Sequence, residues 1–217
     1  APIDITVTVT NLQPAGGVYL TPFFLATHDG AYDVFDVGGV ASQGLESIAE
    51  DGNTGPLTMM AMASGHVANA QTTGGGPIAP GESRSLDFTV DFGDPMTRSL
   101  SFASMVIPSN DAFIGNSAPL ALQLFDGQGN LIQRSGDTTF LVFGNDVYDS
   151  GTELNSEIPS ETAFLAQAAP NTGLTEGGVV RSHDGFQGSQ GFGGPIGNIL
   201  AAYPSGDFTL EGARLAS

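Results

Sequence analysis

Hydrophobic and polar residues alternate strictly at the start of the chain. The apolar parity consists of Ile3, Ile5, Val7 and Val9, and the residues between them are Asp or Thr. Because successive side chains of a β-strand point to opposite faces, residues 3–10 are predicted to form a half-buried strand. Runs rich in β-branched or aromatic residues predict further strands at 17–25, 85–91, 99–107, 120–125, 131–133, 138–143 and 207–215.

Turn-forming residues separate these runs. Gly, Pro, Asn and Asp occupy nearly every gap, and DGQGN at 126–130 is predicted to be a hairpin turn. A glycine-rich stretch at 185–197 is interpreted as a long loop anchored by a few apolar residues. The pattern therefore predicts an all-β, antiparallel fold. No internal repeat or change of composition divides the sequence, so we expect a single domain over residues 1–217.

Helical periodicity is rare in this sequence. The clearest helix is predicted at 41–50, where Ser42 can act as the N-cap and Leu45 and Ile48 can face inward. A weaker helix is predicted at 160–168, which ends before a proline.

The net charge of the chain excludes some classes of binding partner. Its 217 residues include 23 Asp or Glu and 5 basic residues, all of them Arg, which gives a formal net charge of −18 at pH 7. Nucleic acids and anionic membrane surfaces are bound through clustered cations, so neither is expected as a partner. Cations are the partners that this charge favours.

Cysteine usage and hydropathy indicate the compartment only indirectly. The chain has no Cys, so neither a disulfide nor a thiolate metal site can form. Its most apolar stretch, near residues 23–26, is far shorter than the roughly 20 residues that a membrane-spanning helix needs, so no membrane insertion is expected. The sequence begins at Ala1 rather than Met, and we expect a secreted chain from which a signal peptide has been removed.

Signatures of the common enzyme classes are not found in the sequence. There is no nucleophile elbow, no phosphate-binding glycine loop followed by Lys, and no helical His pair with an intervening Glu. The histidines are His28, His66 and His183; two of them precede an Asp-Gly pair typical of turns. We therefore expect a protein that is not an enzyme, with its histidines in turns or at the surface.

Acidic residues are concentrated between residues 144 and 157. The segment GNDVYDSGTELNSE contains Asp146, Asp149, Glu153 and Glu157 around a glycine turn. Calcium takes about six to eight oxygen ligands, which a bent loop with several carboxylates can supply. One hypothesis is that Asp149 and Glu153 converge on one calcium ion. The spacing does not match the EF-hand, so an acidic surface loop without an ion is the alternative.

Several segments, in the same order along the chain, resemble one protein family. The most specific are SMVIPSNDAFIGN at 104–116 and YDSGTE at 148–153. The agreement extends through ATHDGAYDVFDVG at 26–38, GLESIAEDGNTGPL at 44–57, PGES at 80–83 and GGVVRSHDGF at 177–186. Together they resemble the spondin domain, the F-spondin-type module of extracellular matrix proteins and of many secreted bacterial proteins.

The resemblance implies a β-sandwich related to C2 domains, with calcium bound by loops at one end. It places the calcium ligands at Asp111, in the SNDAF segment, and at Asp149 and Glu153, in the DSGTE segment. The sequence departs from the animal pattern because it lacks cysteines, has Ala112 where Trp is common and has Glu153 where Asp is frequent. The last departure lengthens one ligand arm and leaves its mode of coordination open.

Convergence of three carboxylates without a cation would be costly. At separations of roughly 5 Å and an effective dielectric of about 20, each pair repels by about 3 kcal/mol, so the three pairs approach about 10 kcal/mol. That is comparable to the net stability of a whole domain, about 5–15 kcal/mol. The groups must therefore splay apart, take up a proton or share a divalent cation.

These observations predict a secreted, calcium-binding structural or adhesive module of the cell surface or extracellular matrix. Its fold is expected to be an antiparallel, C2-domain-like β-sandwich with one or two short helices in its loops. Its expected partners are a calcium ion (Ca²⁺) and either other extracellular proteins or further copies of itself. A self-assembling subunit of an extracellular fibre or layer is the alternative, motivated by the strand at 3–10. A hydrolase or carbohydrate-binding module is a weaker alternative, because the chain has no Trp and only 4 Tyr.

Overall fold

The computed structural model describes residues 1–134, 139–186, 199–208 and 214–217. These residues form eleven strands and two α-helices. The strands are β1 (Ile3–Thr10), β2 (Tyr19–Leu20), β3 (Phe24–His28), β4 (Val67–Thr72), β5 (Ser83–Val90), β6 (Ser99–Ile107), β7 (Ala112–Gly115), β8 (Val142–Phe143), β9 (Val147–Asp149), β10 (Arg181–Ser182) and β11 (Arg214–Ala216). The helices are α1 (Gln43–Asp51) and α2 (Gly55–Ala63).

The larger sheet is antiparallel and has β6 near its centre. Its order is β10-β9-β7-β6-β3-β4, and β2 pairs with β6 outside this path. All nine residues of β6 are buried. Leu100 and Phe102 belong to one apolar core, whereas Ala103, on the opposite parity, belongs to a second. Strand β6 is therefore covered on both faces, which explains why it lacks a polar side.

The smaller sheet that packs on the larger one consists of β1 and β5, and β8 and β11 form a separate two-stranded sheet. Strands β1 and β5 are antiparallel, in register from Ile3 opposite Val90 to Thr10 opposite Ser83. Val9 shares a core with residues of the larger sheet. The predicted all-β, antiparallel fold is confirmed, and the two packed layers are consistent with a sandwich. The closer relation to C2 domains stays an implication of the resemblance.

Helices α1 and α2 cover the face of the larger sheet that points away from β1 and β5. The Ser42 hydroxyl accepts a hydrogen bond from the N–H of Leu45 at 3.2 Å, which makes Ser42 the N-cap of α1 as predicted. Leu45 and Ile48 are buried against Phe24 and Phe113 of the sheet. The α1 helix therefore packs across β6 and β7.

The sequence pattern did not predict α2. Its sequence, GPLTMMAMA, is apolar all round and begins with Gly55 and Pro56, which in isolation indicate a turn. Proline is tolerated in the first turn of a helix, where its missing N–H would have no intrahelical partner. Leu57 and Ala61 are buried against α1 and the sheet, so tertiary contacts stabilise this helix.

The predicted helix at 160–168 is wrong. The chain forms only a 3₁₀ turn at Pro159–Glu161, and Phe164 adopts a φ of 64°. A positive φ at a non-glycine residue cannot continue a right-handed helix. The segment therefore turns back on itself.

Two predicted strands are also wrong. Residues 120–125 and 131–133 form only isolated bridges, one to Ser99 and one between Phe125 and Leu131. Leu122, Leu124 and Phe125 are buried in the same core as Phe102, and Leu131 packs against that core, without a continuous ladder. Burial here comes from the packing of irregular chain, which local hydropathy cannot distinguish from a strand.

The predicted hairpin turn at 126–130 is confirmed. Oδ1 of Asp126 accepts hydrogen bonds from the N–H groups of Gln128 and Asn130 at 2.9 and 2.8 Å. An Asp side chain that accepts a hydrogen bond from the backbone N–H two residues later is typical of turns.

Three further strand predictions are confirmed only in part. The run at 17–25 divides into β2 and β3 around Pro22, which has no N–H for a ladder. The runs at 138–143 and 207–215 contain β8 and the first residues of β11. Strands β4, β7, β9 and β10 were not predicted, because they are short and carry little alternation of their own.

Parts of three predictions lie outside the described residues. These parts are residue 138, residues 209–213 and residues 187–197 of the glycine-rich loop. Within the described ranges, no helix has both the length and the hydropathy needed to cross a membrane. The organisation as a single domain over 1–217 stays a prediction.

Two of the three histidines close turns, as predicted. Nδ1 of His28 accepts a hydrogen bond from the N–H of Gly30 at 3.0 Å, and Nδ1 of His183 accepts one from Gly185 at 2.8 Å. Both rings are buried, and burial lowers the pKa of His28 and lowers that of His183 to about 4. They are neutral structural groups under ordinary conditions.

Replacing Ser42 by Ala is expected to destabilise the protein by about 1 kcal/mol, because the first turn of α1 loses its side-chain cap. The free energy of unfolding from urea titration measures the effect. Ser47→Ala, inside the same helix, is the matched control and should be neutral or slightly stabilising, since Ala is the better helix former. Equal effects of the two changes would contradict the capping role.

Candidate functional site

The acidic residues of the sequence meet at the turn that follows β9. Strand β7 pairs with β9, with Ala112 opposite Asp149. This register places Asp111, just before β7, beside the chain that leaves β9, and the N–H of Ser150 donates to the carbonyl of Asp111 at 3.3 Å. The sheet therefore brings two distant acidic segments into contact.

The Asp111 carboxylate is fully buried over this turn. Its Oδ2 accepts hydrogen bonds from Ser150 Oγ at 2.9 Å, from the N–H of Thr152 at 2.9 Å and from the N–H of Glu153 at 3.1 Å. Its Oδ1 is buried without a hydrogen-bond partner among the described residues. One oxygen thus organises the turn, and the other remains available to a ligand.

Asp149 forms the opposite side of the site and is only 1 % exposed. Its Oδ1 accepts from the N–H of Gly151 at 2.7 Å, and its Oδ2 accepts from Asn155 Nδ2 at 2.6 Å and Arg181 Nη2 at 2.8 Å. The Arg181 guanidinium also pairs with Glu176 at 2.8 Å. Arg181 is therefore shared between two carboxylates and offsets only one negative charge.

The carboxylate of Glu153 is buried against the backbone of Gly173, where no residue larger than glycine fits. Its Oε1 accepts a hydrogen bond from the N–H of Gly173 at 2.8 Å. A Cβ at Gly173 would collide with the Glu153 carboxylate itself. In the turn, Gly151 has a φ of 72°, and a Cβ there would lie 2.6 Å from the backbone of Val179. Two glycines therefore allow the chain to close around these side chains.

Glu50 is a further member of the site that the sequence did not reveal. It lies in the last turn of α1, is 2 % exposed, and forms a hydrogen bond with the side chain of Thr152. Its Oε2 is buried without a hydrogen-bond partner in the described part of the chain. One signal could have found it: Glu50 and Asp51 lie at the helix C-terminus, where the helix dipole disfavours negative charge.

The buried carboxyl groups raise one another's pKa. Burial raises the pKa of Asp111, and burial together with the neighbouring Asp111 raises that of Asp149 to about 7. Burial and Glu50 raise the pKa of Glu153 to about 8, and burial raises that of Glu50 to about 7. The site therefore favours a proton or a cation over four bare negative charges.

The donor set suits a hard divalent cation in part. Carboxylate oxygens are the ligands that calcium prefers, and Asp111 and Glu50 each present a buried oxygen without a partner. Asp149 and Glu153 keep lone pairs beyond their present hydrogen bonds. Among the residues that the structure describes, however, no three His, Cys, Asp or Glu side chains already stand in a metal-binding arrangement. Binding would require their carboxylates to rotate toward one point.

The fold and this acidic turn define an antiparallel β module with a buried cluster of carboxylates at one end. Residues 14–134, more than half of the chain, match the Spondin_N family, and the chain belongs to that family. The resemblance inferred from the sequence is thereby confirmed. The matched range includes Glu50 and Asp111 and ends before Asp149 and Glu153. No curated protein matches the chain.

Without calcium, the melting temperature is expected to fall between about pH 7 and about pH 9. Glu50, Asp149 and Glu153 keep protons in the folded state that the unfolded chain has already released, so the stability they contribute is lost as the pH rises through their raised pKa values. The pKa values of His28 and His183 are lowered in the folded state, so these two residues make the stability rise with pH. They do so only below about pH 7, where the unfolded chain binds protons at these positions. Calorimetry in excess EDTA at constant ionic strength measures the slope.

Glu50→Gln should make this slope shallower, because one of the titrating groups is removed. The exposed Asp36 provides the matched control, and Asp36→Asn should leave the slope unchanged. A melting temperature that stays constant over this pH range would contradict the raised pKa values.

Proposed function

We propose that the protein is an extracellular structural or adhesive module whose loops are clamped by a calcium ion at the turn after β9. One observation carries the proposal: the unpartnered Oδ1 of Asp111 and the unpartnered Oε2 of Glu50 are both buried beside Thr152. A buried carboxylate oxygen without a hydrogen bond is strongly destabilising unless a proton or a cation satisfies it.

The residues that would bind the ion are Asp111, Glu50, Glu153 and Asp149. Bound calcium would supply two positive charges to a site in which Arg181 supplies one. The Glu153 side chain is longer than the Asp expected there, and Gly173 holds one of its oxygens in place. Backbone carbonyls of the turn are the natural source of further ligands.

Such an ion would join three parts of the fold. Glu50 comes from α1, Asp111 from the start of β7, and Asp149 and Glu153 from the turn after β9. The ion would therefore tie the helical layer to one edge of the larger sheet. In an extracellular medium with calcium near the millimolar range, even a site with a dissociation constant of about 10⁻⁴ to 10⁻³ M is substantially filled.

An apolar surface next to this turn supports an adhesive role. The N–H of Gly178 donates to Gly151, and a backbone pair joins Gly39 to Val180. These bonds place the loop at 37–40 beside the acidic turn, and in it Val40 is 82 % exposed. Val37 in the same loop is 56 % exposed, and contiguous exposed apolar side chains mark contact surfaces. The clamp would fix this loop for contact with other extracellular proteins.

A self-assembling subunit of a fibre or layer is the second candidate. The outer edge of β1 carries backbone groups without a partner among the described residues, and such groups favour association through a strand. A net charge of −18 opposes the association of identical copies, which is why this function is placed second. Secretion after removal of a signal peptide and the absence of enzymatic activity stay expectations.

Calcium is expected to raise the melting temperature. With a dissociation constant of about 10⁻⁴ M, a concentration of about 10 mM stabilises the folded state by about 2.7 kcal/mol. For a chain of this length the corresponding shift is about 5–10 °C. Calorimetry in calcium and in EDTA, with magnesium as the second ion, tests this. Equal melting temperatures in calcium and in EDTA would overturn the proposal.

Two isosteric variants separate ion binding from damage to the fold. Asp111→Asn and Glu50→Gln should bind calcium at least about ten-fold more weakly by isothermal titration, because a charged ligand is lost. In EDTA, Glu50→Gln should be at least as stable as the original protein, since it removes charge repulsion. The surface variant Asp36→Asn should bind calcium unchanged. Unaltered affinity in both site variants would place the ion elsewhere.

A further inference from the structure

Along most of its length, strand β1 pairs through only one of its two edges with the part of the chain that the structure describes. At its end, Thr10 exchanges both backbone hydrogen bonds with Ser217, at 2.8 and 3.1 Å. The next residue, Asn11, instead donates to Glu82, on the β5 side, at 3.0 Å. Backbone groups of successive residues in a strand point to opposite edges. The N–H and C=O of Thr10 therefore point away from β5.

The same alternation directs the backbone of Asp4, Thr6 and Thr8 away from β5. Side-chain distances agree, because Thr6 Oγ1 donates to Asp87 Oδ1 at 2.7 Å and the hydroxyls of Thr8 and Ser85 lie 2.9 Å apart. Directly opposite side chains approach this closely at the non-hydrogen-bonded pairs of an antiparallel ladder. Across the ranges that the structure describes, no backbone group pairs with this outer edge between Asp4 and Thr8.

An apolar cleft of about 510 Å³ runs along this edge. Strand β1 lines one side of the cleft from Asp4 to Val9, and Leu25 and Phe102 of the larger sheet line its floor. The opposite wall contains Arg134. The volume falls within the range of ligand pockets, about 300–1,000 Å³. The sandwich thus has an open position of strand width beside its smaller sheet.

We infer that this cleft accepts one extended segment of a partner protein, added antiparallel to β1 as a third strand of the smaller sheet. The segment would lie beside β1 in line with Ser217, which already pairs with Thr10. From Thr8 to Asp4 the edge spans about 14 Å, the length of five residues of strand. The added strand would pair with the outward backbone groups of Asp4, Thr6 and Thr8.

The cleft also defines the chemistry of the segment. Side chains of a strand alternate between faces, so every second residue of the partner would point at Leu25 and Phe102 and must be apolar. The intervening residues would lie beside Thr6 and Thr8 on the exposed face and can be polar. Because the chain carries a net charge of −18, a neutral or basic segment is favoured over a second copy of this acidic chain.

A strand fits this cleft better than an apolar small molecule does. A lipid chain would cover Leu25 and Phe102 but would leave the outward N–H and C=O groups of Thr6 and Thr8 buried and unpaired. Each such group carries a desolvation penalty. A polypeptide strand satisfies the apolar floor and the polar edge together.

The test uses the whole chain and a peptide of alternating valine and threonine with a lysine at each end and blocked termini. Binding is measured by isothermal titration, and amide hydrogen exchange of Thr6 and Thr8 is followed by NMR. We expect binding with slowed exchange at both amides. N-methylation of the peptide's threonines, which face β1, should weaken binding at least about ten-fold, because edge hydrogen bonds are lost. N-methylation of its valines should be tolerated.

A pair of proline variants tests the protein side. Thr6→Pro removes one outward N–H of β1 and leaves its ladder with β5 intact, and it should weaken binding at least about ten-fold. Thr89→Pro is the matched control on the outer edge of β5, away from the cleft, and should bind normally. The N-methylated peptides keep the test decisive if either variant fails to fold.

Three results would overturn the inference. The first is absence of peptide binding. The second is binding that N-methylation of the threonines does not weaken, which would indicate an apolar-ligand cleft. The third is self-association of the chain that Thr6→Pro abolishes, which would assign the edge to a second copy.

Discussion

Burial of the Asp111 carboxylate is the constraint on which the acidic end of the molecule depends. One of its oxygens binds the turn after β9 through the N–H groups of Thr152 and Glu153. Burial also raises the pKa of Asp149, Glu153 and Glu50 around it, because these carboxyl groups cannot reach water freely. The turn is therefore held in place by hydrogen bonds to one carboxylate, and it is destabilised by the repulsion among the carboxylates that lie around it.

This conflict gives the site its chemical character. Arg181 relieves part of it, but that guanidinium is shared with Glu176. Elsewhere the chain contains few positive charges, so the remaining compensation has to come from protons or from ions in the medium. A protein that keeps buried acids in this arrangement is suited to surroundings in which divalent cations are abundant.

The larger sheet and the sheet of β1 and β5 differ in how completely their edges are used. In the larger sheet, β6 is covered on both faces and pairs with β3 and β2 on one edge and with β7 on the other. In the smaller sheet, the described residues pair with β1 on one side only, until Ser217 joins it at Thr10. The acidic turn lies beside β7, β9 and β10, whereas the free edge lies on the opposite layer. The module therefore offers two separate surfaces with different chemistry.

The sequence by itself determined the strongly patterned elements. Strict alternation predicted β1, a dense run of apolar and small residues predicted β6, and the Ser42 cap with an apolar stripe predicted α1. The acidic turn and its three carboxylates came from the resemblance to spondin domains. In each case the signal lies within about ten neighbouring residues, where backbone preference and burial point to the same structure.

Only the tertiary structure decided the rest, because the forces involved act between distant segments. The α2 helix is stabilised by contacts of Leu57 and Ala61 rather than by its own periodicity. Leu122, Leu124 and Phe125 are buried without forming a strand, since packing alone satisfies them. Glu50 joins Asp111 only because α1 packs on β7, and no local pattern encodes a contact across sixty positions of chain. Local sequence fixes backbone preference, whereas long-range packing decides which charges must share one site.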